Sequence, residues 1–158
     1  MQCYIMLLLR SVLVGLTVAG LGHLEGGNVG PVPDSAAPAA QEAILTVRAV
    51  GIERDEGFLR IALFDRAETF TDEPMEAAVL VPSEGVVEWD VRVPYGTYAI
   101  AVVHDRDGNG KLNTNLLGMP REKYGFSNDA RGTFGPPSFE DASFAVGEPN
   151  VSVEVRVR

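Results

Sequence analysis

The stretch VVEWDVRV at residues 86–93 has an apolar side chain at every second position, with charged side chains between them. This period of two is typical of a β-strand with one face in a core and the other in water. The next stretch, TYAIAVVH at residues 97–104, is almost continuously apolar, which predicts a central strand covered on both faces. The residues Pro94, Tyr95 and Gly96 between them predict a turn.

Five more short strands are predicted around this pair, at residues 43–50, 58–64, 77–81, 142–146 and 151–157. Little in the rest of the chain has the period of a long helix. The pattern therefore predicts an all-β fold, an antiparallel β-sandwich of about seven strands with one long ordered loop at residues 105–140. The side chains expected to be buried are Trp89, Val91, Val153 and Val155, and those expected in solvent are Glu88, Asp90, Glu154 and Arg156.

The N-terminal part of the chain differs from the rest and predicts export. An apolar run at residues 12–21 follows Arg10 and is shorter than the roughly 20 residues of a membrane-spanning helix. We interpret residues 1–22 as a signal peptide, or alternatively an uncleaved anchor, residues 23–42 as a linker rich in proline and alanine, and residues 43–158 as one domain. The mature protein is expected in the periplasm or outside the cell, with no membrane span.

Charge and cysteine content exclude several classes of function. The chain has 22 acidic and 13 basic residues, a net charge of −9, which argues against binding to nucleic acid. Its single cysteine, Cys3, lies before the predicted domain. The domain therefore has no disulfide, no cysteine-ligated zinc and no thiol nucleophile.

The most specific motif is DRDGNGKLN at residues 105–113, which has the spacing of a calcium-binding loop. Its candidate ligands are the side chains of Asp105, Asp107, Asn109 and Asn113 and the backbone carbonyl of Lys111. The glutamate that usually completes such a loop is replaced by Leu116, so a further ligand has to come from water, Asn115, or an acid such as Asp129, Glu140 or Asp141. The alternative is a metal-free turn in which these side chains bond to their own backbone.

Other candidate site residues lie on either side of this motif. His104 is either a ligand or base or, as we favour, a capped histidine at the end of a strand. Tyr124, Phe126 and Phe134 are candidates for lining a groove that binds a small molecule, a glycan or an unknown protein partner. The alternative is that such rings pack the long loop onto the sandwich as a second apolar cluster.

Several short motifs occur in a fixed order along the chain: YGTYAIAVVHD at residues 95–105, NGK at 109–111, NTN at 113–115, GMP at 118–120, YGFSN at 124–128 and FGPP at 134–137. Together they resemble a bacterial family of exported proteins, the domain-of-unknown-function family 2141. The resemblance implies a secreted single domain with an immunoglobulin- or transthyretin-like sandwich, and it implies no catalytic residue.

Two classes of function follow from these features. The first is an exported, non-catalytic β-sandwich module that binds calcium through residues 105–113 and presents residues 105–140 to a ligand or partner. The second is a hydrolase-type enzyme with a site at His104, Asp105 and Asp107. The chain has no nucleophile elbow and no H-E-x-x-H motif, which favours the first class.

Overall fold

Strands with alternating apolar residues form two β-sheets in this protein. The computed structural model describes residues 41–52, 56–115 and 120–158. The predicted signal peptide and nearly all of the predicted linker lie outside the described residues. The strands are β1 (Glu42–Ile52), β2 (Phe58–Phe64), β3 (Glu76–Leu80), β4 (Gly85–Pro94), β5 (Gly96–Asp105), β6 (Tyr124–Phe126), β7 (Phe144–Val146) and β8 (Asn150–Arg156). One short helix, α1, spans Phe139–Ala142, and Ser127–Asp129 forms a single 3₁₀ turn.

The first sheet has the order β4-β1-β8, and the second has the order β3-β2-β5-β6, with β7 paired to the start of β5. The predicted all-β fold with two packed sheets is confirmed. Most strand pairs are antiparallel, as predicted, and one pair is parallel: β8 lies parallel to β1, with Leu45 opposite Val151. The chain crosses from the second sheet to the first between β7 and β8.

The main core lies between the two sheets. Its fully buried side chains include Leu45 and Val47 from β1, Ile61 from β2, and Ile100 and Val102 from β5. Leu59, Ile61 and Leu63 alternate along β2 and are all 0% exposed, so they form its inward face. The apolar face of each strand thus enters one shared core, where burial of these side chains stabilises the fold.

The four residues expected to be buried on the β4 and β8 strands differ in their exposure. Val155 is buried, whereas Trp89, Val91 and Val153 are half-buried and pack against the margin of the core. The reason is that β4 and β8 are the two outer strands of a three-stranded sheet, so their inward faces are only partly covered. The charged residues predicted to face solvent, Glu88, Asp90, Glu154 and Arg156, are all exposed.

Strand β5 is covered on both faces, as predicted from its continuous apolar sequence. Its inner face joins the main core, and its outer face carries Ala99 and Ala101, which pack against a second apolar cluster. This outer cluster consists of Ala62, Phe64, Ala99, Ala101, Phe126 and Ala142, with Phe70, Tyr124, Ala130 and Phe139 packed against it.

The predicted loop at residues 105–140 is not a single loop, because it contains β6 and the start of α1. Strand β6 pairs with β5, where Ala101 lies opposite Phe126. On its other side the backbone N–H of Tyr124 donates to the carbonyl of Arg158, and the N–H of Arg158 donates to the carbonyl of Tyr124. Strand β6 therefore joins the two sheets. Three residues are too few to show a period, which is why the sequence did not predict this strand.

Among the described residues, none of the helices is both long and apolar enough to cross a membrane.

Candidate metal centre

The motif at residues 105–113, called the acidic motif below, begins at Asp105, the last residue of β5. Gly108 and Gly110 have φ values of +70° and +78°, a region that glycine enters without steric cost. These two glycines let the chain reverse twice in a few residues. As a result the side chains of residues 105, 107, 109 and 113 turn toward one another, as the spacing predicted.

Asp105 is the buried anchor of this motif, with 0% of its surface exposed. Its Oδ2 accepts hydrogen bonds from Nε of Arg60 at 2.6 Å and from the backbone N–H of Gly110 at 2.9 Å, and its Oδ1 accepts one from Asn109 at 3.2 Å. Burial on its own raises the pKa of this carboxyl. The hydrogen bonds from Arg60 and the glycine N–H groups, together with the charge of Arg60, outweigh burial and hold the pKa below its ordinary value of 3.8.

The other three side chains of the motif form an exposed network. Oδ2 of Asp107 accepts from Nδ2 of Asn109 at 2.9 Å and from Nδ2 of Asn113 at 2.8 Å, and Oδ1 of Asn109 accepts from the N–H of Lys111 at 2.8 Å. The bond from the N–H of Lys111, and a bond from the N–H of Asn109 to Oδ1 of Asp107, are the local side-chain-to-backbone bonds of the metal-free alternative, whereas the other two join side chains. A half-turn of either amide group exchanges its nitrogen for its oxygen, so the same two side chains are able to offer oxygens to a cation.

Glu122 is the acid that sequence reasoning missed. It lies two residues before β6 and is 7% exposed, and one carboxylate oxygen from each of Asp105, Asp107 and Glu122 lies within 4.8 Å of the others. Its Oε1 accepts from the N–H of Arg106 at 3.0 Å, and its Oε2 accepts from the N–H of Asn113 at 2.9 Å. The pairing of β6 with β5 brings residue 122 back beside residue 105, and the N–H of Arg121 donates to the carbonyl of Asn113 at 2.7 Å on the other side of Glu122.

Two of the acids that we expected to complete the site, Asp129 and Asp141, have other partners. Asp129 forms an ion pair with Arg158, and Asp141 accepts a hydrogen bond from the hydroxyl of Ser138, whose own oxygen caps the start of α1. Asn115 is half-buried, and Leu116 lies outside the described residues. Within the described parts of the chain, Glu122 is therefore the acid that joins the motif.

His104 is 3% exposed, and its Nε2 lies 2.8 Å from the backbone carbonyl oxygen of Glu56. Its backbone N–H donates to the carbonyl of Lys123. This arrangement fits the interpretation of a capped histidine at the end of a strand.

The three candidate aromatic residues have different surroundings. Phe126 is 8% exposed and Tyr124 is half-buried, and their ring centroids are 6.0 Å apart within the outer cluster. Phe134 is fully exposed. The structure thus brings Tyr124 and Phe126 together but leaves Phe134 apart, in solvent.

Solvent reaches the acidic motif through an open depression lined by Arg106, Asp107, Asn113, Thr114, Arg121 and Glu122. Asp107 and Glu122 line this depression, whereas Asp105 does not. An ion would therefore enter the site from the side of Asp107, the exposed member of the three carboxylates.

Together, the two sheets and this loop define a β-sandwich domain with an Asp- and Asn-rich loop at the end of its central strand. The family model described as an uncharacterized protein conserved in bacteria (DUF2141) matches residues 47–154, and the chain belongs to this family. No curated protein and no solved structure matches the chain.

Proposed function

We propose that this protein is an exported, non-catalytic β-sandwich module in which residues 105–113 and Glu122 bind one calcium ion. The bound ion would hold the segment at residues 105–140 in place for contact with a ligand or partner. The observation that carries the proposal is the approach of three carboxylates, Asp105, Asp107 and Glu122, to within 4.8 Å of one another from two separate segments.

Electrostatics supports a cation at this place. Three carboxylates at such distances repel one another, and the ion pair that Arg60 forms among the described residues is with Asp105. The available ligands are carboxylate, amide and carbonyl oxygens, which are hard donors of the kind that calcium prefers. With three carboxylates and no residue known to bind in a bidentate manner, we expect a dissociation constant on the order of 10⁻⁴–10⁻³ M, as in extracellular calcium modules.

The enzyme alternative has less support from the geometry. A hydrolase at His104, Asp105 and Asp107 needs a base that a substrate is able to reach. His104 and Asp105 are both buried and both held by hydrogen bonds, to Glu56 and Arg60 respectively. This favours a structural role for the pair over catalysis.

Phe134 supports the proposed contact with a partner. Its ring is fully exposed and belongs to an exposed run at residues 131–136. A single exposed aromatic ring on an ordered segment supplies rigid contact area to a protein, a glycan or a small molecule.

Calcium is expected to raise the melting temperature of chelator-treated protein by a few degrees at several millimolar, because it binds the folded state alone. Magnesium is expected to do less, since it requires a tighter octahedral site. Differential scanning calorimetry of the wild type and of Asp107→Asn and Glu122→Gln measures both effects, and each substitution should greatly reduce the calcium shift.

Glu84→Gln is the matched control for this experiment, because it removes one negative charge from an exposed turn between β3 and β4. It should retain the full calcium shift. If the wild type melts at the same temperature with and without calcium, the loop is a metal-free turn and the calcium proposal is refuted.

Export predicts a mature N-terminus between about residues 22 and 43, because the apolar run at residues 12–21 has the length of a signal sequence core. Mass spectrometry of the protein recovered from its native host tests this. An intact Met1 in a cytosolic fraction would contradict the prediction.

A further inference from the structure

The Asn109-Gly110 pair in the acidic motif combines an exposed asparagine with a following glycine. In such a pair the backbone nitrogen of the glycine is able to attack Cγ of the asparagine, because no Cβ hinders its approach. The attack needs two conditions. The glycine nitrogen has to lose its proton, and the asparagine side chain has to be free to bring Cγ over that nitrogen.

The structure opposes both conditions. The N–H of Gly110 donates to Oδ2 of Asp105 at 2.9 Å, and a negatively charged acceptor stabilises the protonated nitrogen. Both polar atoms of the Asn109 side chain are hydrogen-bonded. Its Oδ1 accepts from the N–H of Lys111 at 2.8 Å, and its Nδ2 donates to oxygens of Asp107 and Asn113, each at 2.9 Å.

We propose that Asn109-Gly110 is a deamidation site, and that the hydrogen bond from Gly110 to Asp105 suppresses the reaction in the folded protein. Opening of the loop starts the reaction. The Gly110 nitrogen gives its proton to solvent and forms a bond to Cγ of Asn109, the bond from Cγ to Nδ2 breaks, and ammonia leaves with a proton from water. Water then opens the resulting succinimide at either carbonyl, and the product is aspartate or isoaspartate at position 109.

The reaction would change the loop permanently. A carboxylate at position 109 replaces the amide that donates to Asp107, so attraction becomes repulsion. Isoaspartate also lengthens the backbone by one atom, which moves Gly110 away from Asp105. The modified loop would then stay open. The fraction of molecules deamidated at position 109 would therefore rise with the time spent with the loop unfolded.

The test uses the full chain in chelator, so that its outcome does not depend on calcium. The chain is incubated at mildly alkaline pH, either native or unfolded in guanidinium, and then digested with trypsin. Cleavage after Arg106 and Lys111 releases residues 107–111, in which mass spectrometry measures deamidation at position 109. We expect the unfolded chain to react at least about tenfold faster, the effect of losing one hydrogen bond to a charged group.

Asp105→Asn should raise the rate in the native state toward that of the unfolded chain, because it removes the negatively charged acceptor, while the bonds that hold the Asn109 side chain remain. Asp72→Asn is the matched control, since Asp72 is an exposed acid in the β2–β3 connection, and it should leave the native rate unchanged. Equal rates of deamidation in native and unfolded wild type would overturn the proposal. This comparison tests the proposal even if the Asp105 variant fails to fold. A folded Asp105→Asn that reacts as slowly as wild type would overturn the role of Asp105.

Discussion

Replacing Asp105 by alanine is expected to lower the free energy of unfolding by about 3–5 kcal/mol, the range for loss of one partner of a buried ion pair. The carboxylate is fully buried and accepts from Arg60 at 2.6 Å. Its removal leaves the mostly buried guanidinium of Arg60 without its partner. It also leaves the N–H of Gly110 without its acceptor, and it removes one of the two acceptors of the Asn109 N–H, the other being Asp107.

Urea unfolding in the presence of chelator measures this loss. Asp107→Ala is the matched control, because Asp107 belongs to the same motif but is exposed, and it should cost about 1 kcal/mol or less. If both variants lose the same stability, Asp105 is not the anchor of the loop.

The same ion pair gives the wild type a defined dependence on pH. The pKa of Asp105 is lower in the folded protein than its ordinary value of 3.8, so its ionised form stabilises the fold above that value. This contribution is lost as the pH falls through the lowered pKa of the folded state. The wild type should therefore lose stability in acid more steeply than Asp105→Ala.

Replacing Gly125 by alanine is expected to lower the free energy of unfolding by about 3 kcal/mol, at the upper end for overpacking. A Cβ at this position would overlap the carbonyl oxygen of Arg156 and lie 2.8 Å from its carbonyl carbon. Both atoms belong to the backbone of β8, so rotation of a side chain does not relieve the overlap. Strand β6 would have to move away from β8.

Gly147→Ala is the matched control, because no atom lies within 4 Å of a Cβ built there. Thermal unfolding should show little change for Gly147→Ala and a large loss for Gly125→Ala. A Gly125→Ala variant as stable as wild type would show that β6 does not join the two sheets closely. Because Glu122 lies just before β6, Gly125→Ala should also weaken any calcium shift.

Much of the fold could be predicted from periodicity. The alternation from Val87 to Val93 and the continuous apolar run before Asp105 predicted a strand with one buried face and a central strand, and both are present where they were expected. A pattern of this kind is local, and each strand carries enough residues to show it. The degree of burial of Trp89 was not predictable, because it depends on β4 lying at the edge of its sheet.

The candidate site was likewise predictable only in its local part. The spacing of Asp105, Asp107, Asn109 and Asn113 and the glycines between them were sufficient to predict a curled loop whose oxygen-bearing side chains converge, because the turn is made by nine consecutive residues. Within the described residues, the local hydrogen bonds of that loop match the alternative that the sequence also left open.

Glu122, Arg60 and the closure of the two sheets were decided by tertiary structure alone. Arg60 reaches Asp105 across the β2–β5 pairing, and Glu122 returns to the loop because β6 pairs with β5 and meets the end of β8. A strand of three residues has no period to read, and its place depends on the glycine at 125 fitting against the backbone of β8. The sequence by itself determined the longer strands and the chemistry of the loop, because both depend on residues close together in the chain. Contacts between residues far apart in the chain determined the place of β6, the acid that joins the loop and the arginine that pairs with Asp105.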